Sequence, residues 1–362
     1  MARLDELLTR MKESSGSDLH LAAGSPPRIR QKGALQVVDG WSTLDDKGLR
    51  ELLAEITRPD QWASYLADQD LDFAYGLPGV ARFRANYFVQ EHGAGAVFRT
   101  IPERILTLDE LKLPPVVRSF AHLHSGLVLV TGPTGSGKST TLAAIIDEIN
   151  KTYAMHVVTI EDPVEFVHQN KTCVFSQREV GSQTDGFGGA LRAAIRQDAD
   201  VILVGEMRDL ETIALAITAA EMGALVFGTL HTNSAAKTID RLIDAFPAEQ
   251  QDQIRLSLSE SLAGIVAQLL LPTADGRGRR AANEILVRVP ALANIIREGS
   301  TSKLFSLIQS SRAQGMQTMD DALLTLVREG EVRPEEAYLK ANDKEHFEQL
   351  IKQLEQAPAG RA

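Results

Sequence analysis

The chain has 362 residues, 44% of them apolar and 24% charged, with no long biased tract, which excludes a disordered or fibrous protein and suggests two domains. A formal charge of −10 argues against a protein built mainly to grip nucleic-acid phosphates, and the lone cysteine, Cys173, excludes an internal disulfide or a cysteine-rich zinc site. Cys173 is therefore expected as a small buried hydrophobe in a reducing compartment.

From the N-terminus, "MARLDELLTRMKESSGSDLH" carries charges throughout, so no secretory signal is expected there. "SDLHLAAG" puts Leu19 and Leu21 on one face of an extended segment, "GSPP" turns the chain, and "RIRQKGALQVV" is extended again. At "TLDD" a helix is predicted, with Thr43 as its cap and Leu49, Leu52, Leu53 and Ile56 at helical spacing. "DLDFAYGLPGVARFRANYFV" predicts a hairpin turning at Gly76, Pro78 and Gly79; in its second arm Phe83, Ala85 and Tyr87 face one way and Arg82, Arg84 and Asn86 the other. A small α+β domain over residues 1–108 follows, then a linker over 109–117 containing two prolines that no helix continues through.

Beyond His124 the pattern becomes "LVLVT", "HVVTIE", "VILVG" and "ALVFGTL", short and wholly apolar strands separated by helical segments. Such runs belong to parallel strands covered on both faces, so residues 118–362 are expected to be an α/β domain. "ALAITAAEMGALVFGTL" contains Glu221 and Gly223 and is expected as helix, turn and strand rather than a transmembrane segment. After Ser234 mainly helices are predicted, interrupted by a hairpin at "TADGRGRRAANEILVRV"; Thr318 caps a later amphipathic helix, and "QAPAGRA" ends the chain as a loose tail.

Chemistry concentrates where those strands end. In "VLVTGPTGSGKSTTL", Gly132, Pro133, Thr134, Gly135, Ser136, Gly137, Lys138, Ser139 and Thr140 match G-x-x-x-x-G-K-[ST] between a strand and a helix. Glycines let backbone N–H groups wrap phosphates, Lys138 reaches the terminal phosphates of ATP, and Ser139 can ligate Mg²⁺. Hydrolysis also needs acids at neighbouring strand ends. "TIEDPVEF" offers Glu161, Asp162 and Glu165; "VILVGE" offers Glu206, expected as the water-activating base; "GTLHT" offers His231 as a sensor of the terminal phosphate.

Together "GPTGSGKST", "TIEDPVEF", "VILVGEMRDLETI" and "GTLHTNSA" resemble, in that order, the Walker A, Asp-box, Walker B and His-box segments of the secretion ATPase superfamily. "GSDLHLAAGSPPRIR", "ARFRANYF", "GAGAVFRTIP", "LIDAFP" and "GMQTMDDALLTLV" are similar, more narrowly, to the PilT-type twitching motility proteins, the pilus retraction ATPases. The resemblance implies a PAS-like N-terminal domain, a RecA-like P-loop ATPase domain with additional C-terminal helices, and a homo-hexameric motor. Its ATP turnover, with Mg²⁺ held by Ser139 and by Glu206 directly or through water, would withdraw pilin. The motor would be cytoplasmic, docked on an inner-membrane platform protein, without a transmembrane segment or nucleic acid. It also implies that arginines of the N-terminal domain reach the nucleotide: Arg82, Arg84 and Arg99 lie in the matching segments, with a solvated basic face as their alternative role. One departure is Ala199 in "AIRQDAD", where retraction enzymes commonly carry proline; it leaves open an accessory paralogue acting with related retraction ATPases, and a type IV secretion ATPase is the nearer alternative outside that branch. The single cysteine separates the chain from the pilus assembly ATPases, which add a four-cysteine zinc module.

Overall fold

The computed structural model describes residues 2–356, apart from 32 and 103; of the tail expected over 356–362, Gln356 ends the last helix and the rest lies outside the described residues. Two units emerge from the packing: Met1–Arg104 together with Asp162–Val167, and Ile105–Glu161 together with His168–Ala362.

In the first unit, α1 (Arg3–Glu13) leads into β1 (Asp18–Ala22), β2 (Arg28–Gln31) and β3 (Ala34–Val37), then α2 (Asp46–Ala54), α3 (Pro59–Asp68), β4 (Asp70–Leu77), β5 (Ala81–Gln90) and β6 (Gly93–Ile101). The six strands form one antiparallel sheet in the order β3-β2-β1-β6-β5-β4. Alternation decides its faces: Phe83, Ala85 and Tyr87 of β5 are fully buried with Leu19, Leu21 and Phe98, and the helices close over them with Leu4, Leu7, Leu8, Leu49, Leu52 and Tyr65. The predicted turn is present, with Gly79 in the left-handed region at φ +77°. The helix cap differs from expectation. Asp45, not Thr43, caps α2 by accepting from the Gly48 N–H at 2.7 Å. Asp46, one residue on, is drawn instead to the Ala94 N–H and to Arg50.

The second unit runs through α4 (Pro115–Ser119), β7 (Gly126–Thr131), α5 (Lys138–Thr152), β8 (His156–Glu161), β9 (Val174–Glu179), α6 (Phe187–Ala194), β10 (Val201–Val204), α7 (Leu210–Glu221), β11 (Leu225–Leu230), α8 (Ala235–Asp244), α9 (Ala248–Ser261), β12 (Leu262–Pro272) and β13 (Arg279–Val287). Helices α10 (Pro290–Arg297), α11 (Leu304–Ser310), α12 (Met319–Arg328), α13 (Pro334–Lys340) and α14 (Lys344–Gln356) complete it. Its seven strands are ordered β13-β12-β7-β11-β10-β8-β9, parallel except for the β12–β13 hairpin. Every residue of β7, β10 and β11 is buried, because apolar side chains from both faces of the sheet enter separate cores. Thr318 caps α12 as expected, and Cys173 is buried, its thiol pushed up by that burial.

Two strands of the second unit, like β6 in the first, were not foreseen. β9 is a half-buried edge strand without a clean alternation. β12 occupies "LAGIVAQLLLP", inside a stretch expected to be helical. Ten apolar or small residues in an eleven-residue strand carry no period that separates a buried strand from a buried helix. Partners on both sides, β7 and β13, make it a strand.

Candidate nucleotide site

The site is assembled by strand order. Because β7, β11, β10 and β8 lie side by side and run parallel, their C-terminal ends bring the loop 132–137, His231, Glu206 and Glu161 to one edge of the sheet, and β12, parallel to β7, sets Gln268 in mid-strand beside that loop. This is where open α/β sheets bind ligands.

The loop after β7 is shaped by its glycines. Gly132, Gly135 and Gly137 have φ of +147°, +77° and +86°, backbone that side-chain-bearing residues rarely adopt. At Gly132 a Cβ would sit 2.2 Å from the Gln268 carbonyl oxygen, whereas at Gly135 nothing lies within 4 Å, so the loop packs inward at one end and is open at its tip. Helices α7, α8 and α12 satisfy their first N–H groups with Asp209, Ser234 and Thr318 side chains. α5 begins after Gly137 with no side-chain cap, which leaves its N–H groups and the positive end of its dipole for an anion. Lys138 donates from Nζ to the carbonyl oxygens of Gly132 at 2.9 Å and Pro133 at 3.2 Å, folding over the place a phosphate would take. Ser139 and Thr140 are half-buried on the first turn of α5. Open glycine tip, uncapped helix and poised ammonium all fit a triphosphate. Among the described residues no cluster of three or more His, Cys, Asp or Glu could hold a metal alone, and Mg²⁺ bound to nucleotide needs only one or two protein ligands.

Glu206, two residues beyond β10, carries the charge chemistry. Arg208 grips it with a two-pronged contact, Nε to Oε1 at 2.6 Å and Nη2 to Oε2 at 2.6 Å, and His231 Nε2 lies 3.2 Å from Oε1. The Arg208 guanidinium, ahead of His231, holds the Glu206 carboxyl below the usual carboxylate range against the opposing effect of burial. The strand ends are themselves tied: Thr229 Oγ1 donates to the Gly205 carbonyl and the Met207 N–H to Thr229. Glu161, at the end of β8, accepts from Thr159 Oγ1 at 2.7 Å and from Gln177 Nε2 at 3.4 Å.

Of the remaining sequence-predicted residues, Asp162 and Glu165 belong to the segment grouped with the first unit, where both favour the charged form of Arg84 electrostatically. Arg82, Arg84 and Arg99 share one face of the first unit's sheet, since Arg84 stands opposite Arg99 across β5 and β6. Each is engaged there: Arg82 with the Val164 carbonyl at 3.2 Å, Arg84 with both oxygens of Asp72, Arg99 with Asp18 at 2.8 Å. The sequence reading overlooked Arg208 and Gln268. Arg208 was visible as the charge following Glu206 in "GEMRD", and Gln268 as the lone amide in "LAGIVAQLLLP".

A glycine-shaped phosphate loop on a doubly covered parallel sheet, with a carboxylate and a histidine on the adjoining strand ends, defines a RecA-like ATPase, here preceded by a PAS-like α+β domain. The model of the Type II/IV secretion system protein family matches residues 68–357, and the chain belongs to that family. It is 51% identical to the "Type IV pilus retractation ATPase PilT" of Pseudomonas aeruginosa, over 95% of this chain and 99% of that one. To the "Type IV pilus ATPase PilU" of the same organism it is 41% identical, over 96% and 91% of the two chains. Among solved structures, the pilus retraction motor PilT with bound ADP superposes with a TM-score of 0.88 at 43% identity, covering 95% of this chain and 98% of the other.

Proposed function

We propose that this chain is the ATP-hydrolysing subunit of a homo-hexameric motor that powers type IV pilus retraction. The observation that carries the reading is the match to a retraction ATPase along nearly the whole of both chains. The higher identity to that enzyme than to PilU favours the principal motor over an accessory paralogue.

In this reading residues 132–140 wrap the triphosphate, Lys138 leaves its carbonyl partners for the terminal phosphates, and Ser139 and Glu206 are the residues that would hold Mg²⁺. Mg²⁺, when bound, neutralises charge on the phosphate oxygens. Phosphoryl transfer passes through a loose transition state, so the protein's task is positioning and charge stabilisation. Glu206, kept ionised by Arg208 and His231, orients the attacking water and accepts its proton late. His231 reports the terminal phosphate to Glu206 through the contact between them. Glu161, Asp162 and Glu165 form the acidic segment that answers to the nucleotide, and Arg82, Arg84 and Arg99 supply positive charge to it from the N-terminal domain. Binding that draws the arginines in, and hydrolysis that releases them, would turn differential affinity for ATP and ADP into domain movement.

The partner is a platform protein at the cytoplasmic face of the inner membrane. Among the described residues no helix is long and apolar enough to cross a membrane, so the attachment proposed is peripheral. The test is a deletion strain together with the purified protein. Retained or increased surface pili without twitching movement, and multi-turnover ATPase from a homogeneous hexamer, support the reading. ATPase that appears only after a paralogue is added would assign the chain an accessory role.

A further inference from the structure

We infer that Gln268 is a positioning residue of the nucleotide site, the group that sets the shape of the phosphate loop before any ligand arrives; this rests on the reading of residues 132–140 as the nucleotide loop. Gln268 lies on β12 one residue beyond the pairing of Ala267 with Thr131, beside the point where β7 opens into the loop. It is 2% exposed in an otherwise apolar strand. An amide buried there is costly unless its hydrogen bonds are made.

Three are made, and their arrangement is directional. Oε1 accepts from Thr141 Oγ1 of α5 at 2.8 Å and from Asn283 Nδ2 of β13 at 3.0 Å. The Ser136 carbonyl can only accept, so the amide nitrogen must face the loop, where Nε2 donates to it at 2.6 Å, and the oxygen is left to Thr141 and Asn283. The Ser136–Gly137 peptide is trans, and in a trans peptide C=O and N–H point in opposite directions. Tying the Ser136 carbonyl to β12 therefore turns the Gly137 N–H away from it, outward to the phosphate side. A carbonyl rotated outward would present its negative end to phosphate. The glycines agree with this close approach: a Cβ on Gly137 would meet Gln268 Nε2 at 2.9 Å, and one on Gly132 would meet the Gln268 backbone. Asn283 extends the connection, because its own carbonyl accepts from Gln317 Nε2 at 2.7 Å just before α12.

The experiment compares native protein with Gln268→Leu, Gln268→Glu and Lys138→Ala by two readouts: amide hydrogen exchange of the loop peptide in nucleotide-free protein, and affinity for a fluorescent ADP analogue. Gln268→Leu should raise loop exchange and weaken ADP about tenfold, equivalent to ~1.4 kcal/mol. Gln268→Glu keeps the acceptor but sets an oxygen against the Ser136 carbonyl when ionised; protonated, it regains a donor. Its affinity relative to native should thus recover as pH falls from about 8 to about 5.5, while that of Gln268→Leu stays low, a difference that loss of packing does not produce. Lys138→Ala, which also removes the contacts to the Gly132 and Pro133 carbonyls, should lose ADP at every pH without the recovery expected of Gln268→Glu. Native-like affinity and loop exchange in both Gln268 variants, or a Gln268→Glu ratio flat with pH, overturns the inference. Failure of the native protein to bind ADP overturns the nucleotide reading instead, and the exchange data alone then decide whether Gln268 holds the loop. Should Gln268→Leu not fold, the pH series on Gln268→Glu decides.

Discussion

Replacing Glu206 by glutamine separates hydrolysis from binding, because the two lie on different strands. Glu206 follows β10 and the phosphate loop follows β7, with β11 between them in the sheet. The amide keeps the shape of the carboxylate but meets Arg208 and His231 with one oxygen and one NH₂ where both partners bring donors. The stability lost should still be small, under about 1 kcal/mol, since the Arg208 and His231 side chains are 68% and 45% exposed and water screens the pairs. The chemical step should suffer more: a positioned general base is worth about 10²–10⁴ in rate. The expected result is kcat reduced by that range, ADP affinity within about threefold of native and an unchanged melting midpoint. Steady-state ATPase, analogue titration and a thermal melt on one preparation give all three. A kcat within about fivefold of native removes Glu206 from its role, and a tenfold loss of ADP affinity refutes the separation of the two sites along the sheet.

Arg208→Ala removes the main influence holding the Glu206 carboxyl low, so the carboxylate takes a proton at higher pH and the acid limb of the ATPase pH profile should move upward; an unmoved limb excludes the contact as a determinant of the base. Gly132→Ala forces a Cβ to within 2.2 Å of the Gln268 carbonyl at a φ of +147°, and should cost about 2–5 kcal/mol in thermal or denaturant unfolding and abolish ADP binding. Glu284 is buried, accepts from the Ala235 N–H at 2.7 Å and from the Met319 N–H, and has its carboxyl raised chiefly by burial. Glu284→Ala leaves both helix N-termini without that acceptor and should lower stability by about 2–4 kcal/mol. In native protein the group binds its proton more tightly folded than unfolded, so its contribution is full at low pH and lost as pH rises through the folded value; urea titrations should show that decline in native protein and not in Glu284→Gln.

What could be read from the amino-acid sequence follows a physical division. Groups that act through short-range patterns were legible: "GPTGSGKST" encodes its own backbone geometry, and Glu161, Glu206 and His231 each lie at or just past the end of a largely apolar strand, so a parallel sheet alone brings them to one edge. Alternation in "ARFRANYF" placed Phe83 and Tyr87 inward and the arginines outward without any knowledge of partners. Groups that act through pairing between distant segments were hidden. Whether "LAGIVAQLLLP" is strand or helix depends on β7 and β13, 132 residues separating Gln268 from Ser136. Nothing local told that Asp45 rather than Thr43 caps α2, or that Asp46 is taken by the distant Ala94 N–H. Nor could charge patterning reveal that Arg84 and Arg99 already have acids of their own.

Those acids bear on how a motor of this design would work. An arginine with no acid beside it would give up hydration to reach phosphate and would have no anion to return to on release. Arg84 and Arg99 rest against Asp72 and Asp18, and the Asp18 carboxyl, pushed up by burial, is held below the ordinary range by the Ser17 hydroxyl and Arg99. In the cycle proposed above, approach to nucleotide would exchange one anion for another, so the net change would be smaller than for an arginine with no acid to leave. An exchange so balanced can run forward on binding and backward on release, which a cyclic motor needs and a permanent ion pair would prevent. If the balance is set this way, Asp72→Asn should tighten ATP binding through the unpaired Arg84 while slowing product release, and a variant whose ADP dissociation rate matches native would remove the exchange from the cycle.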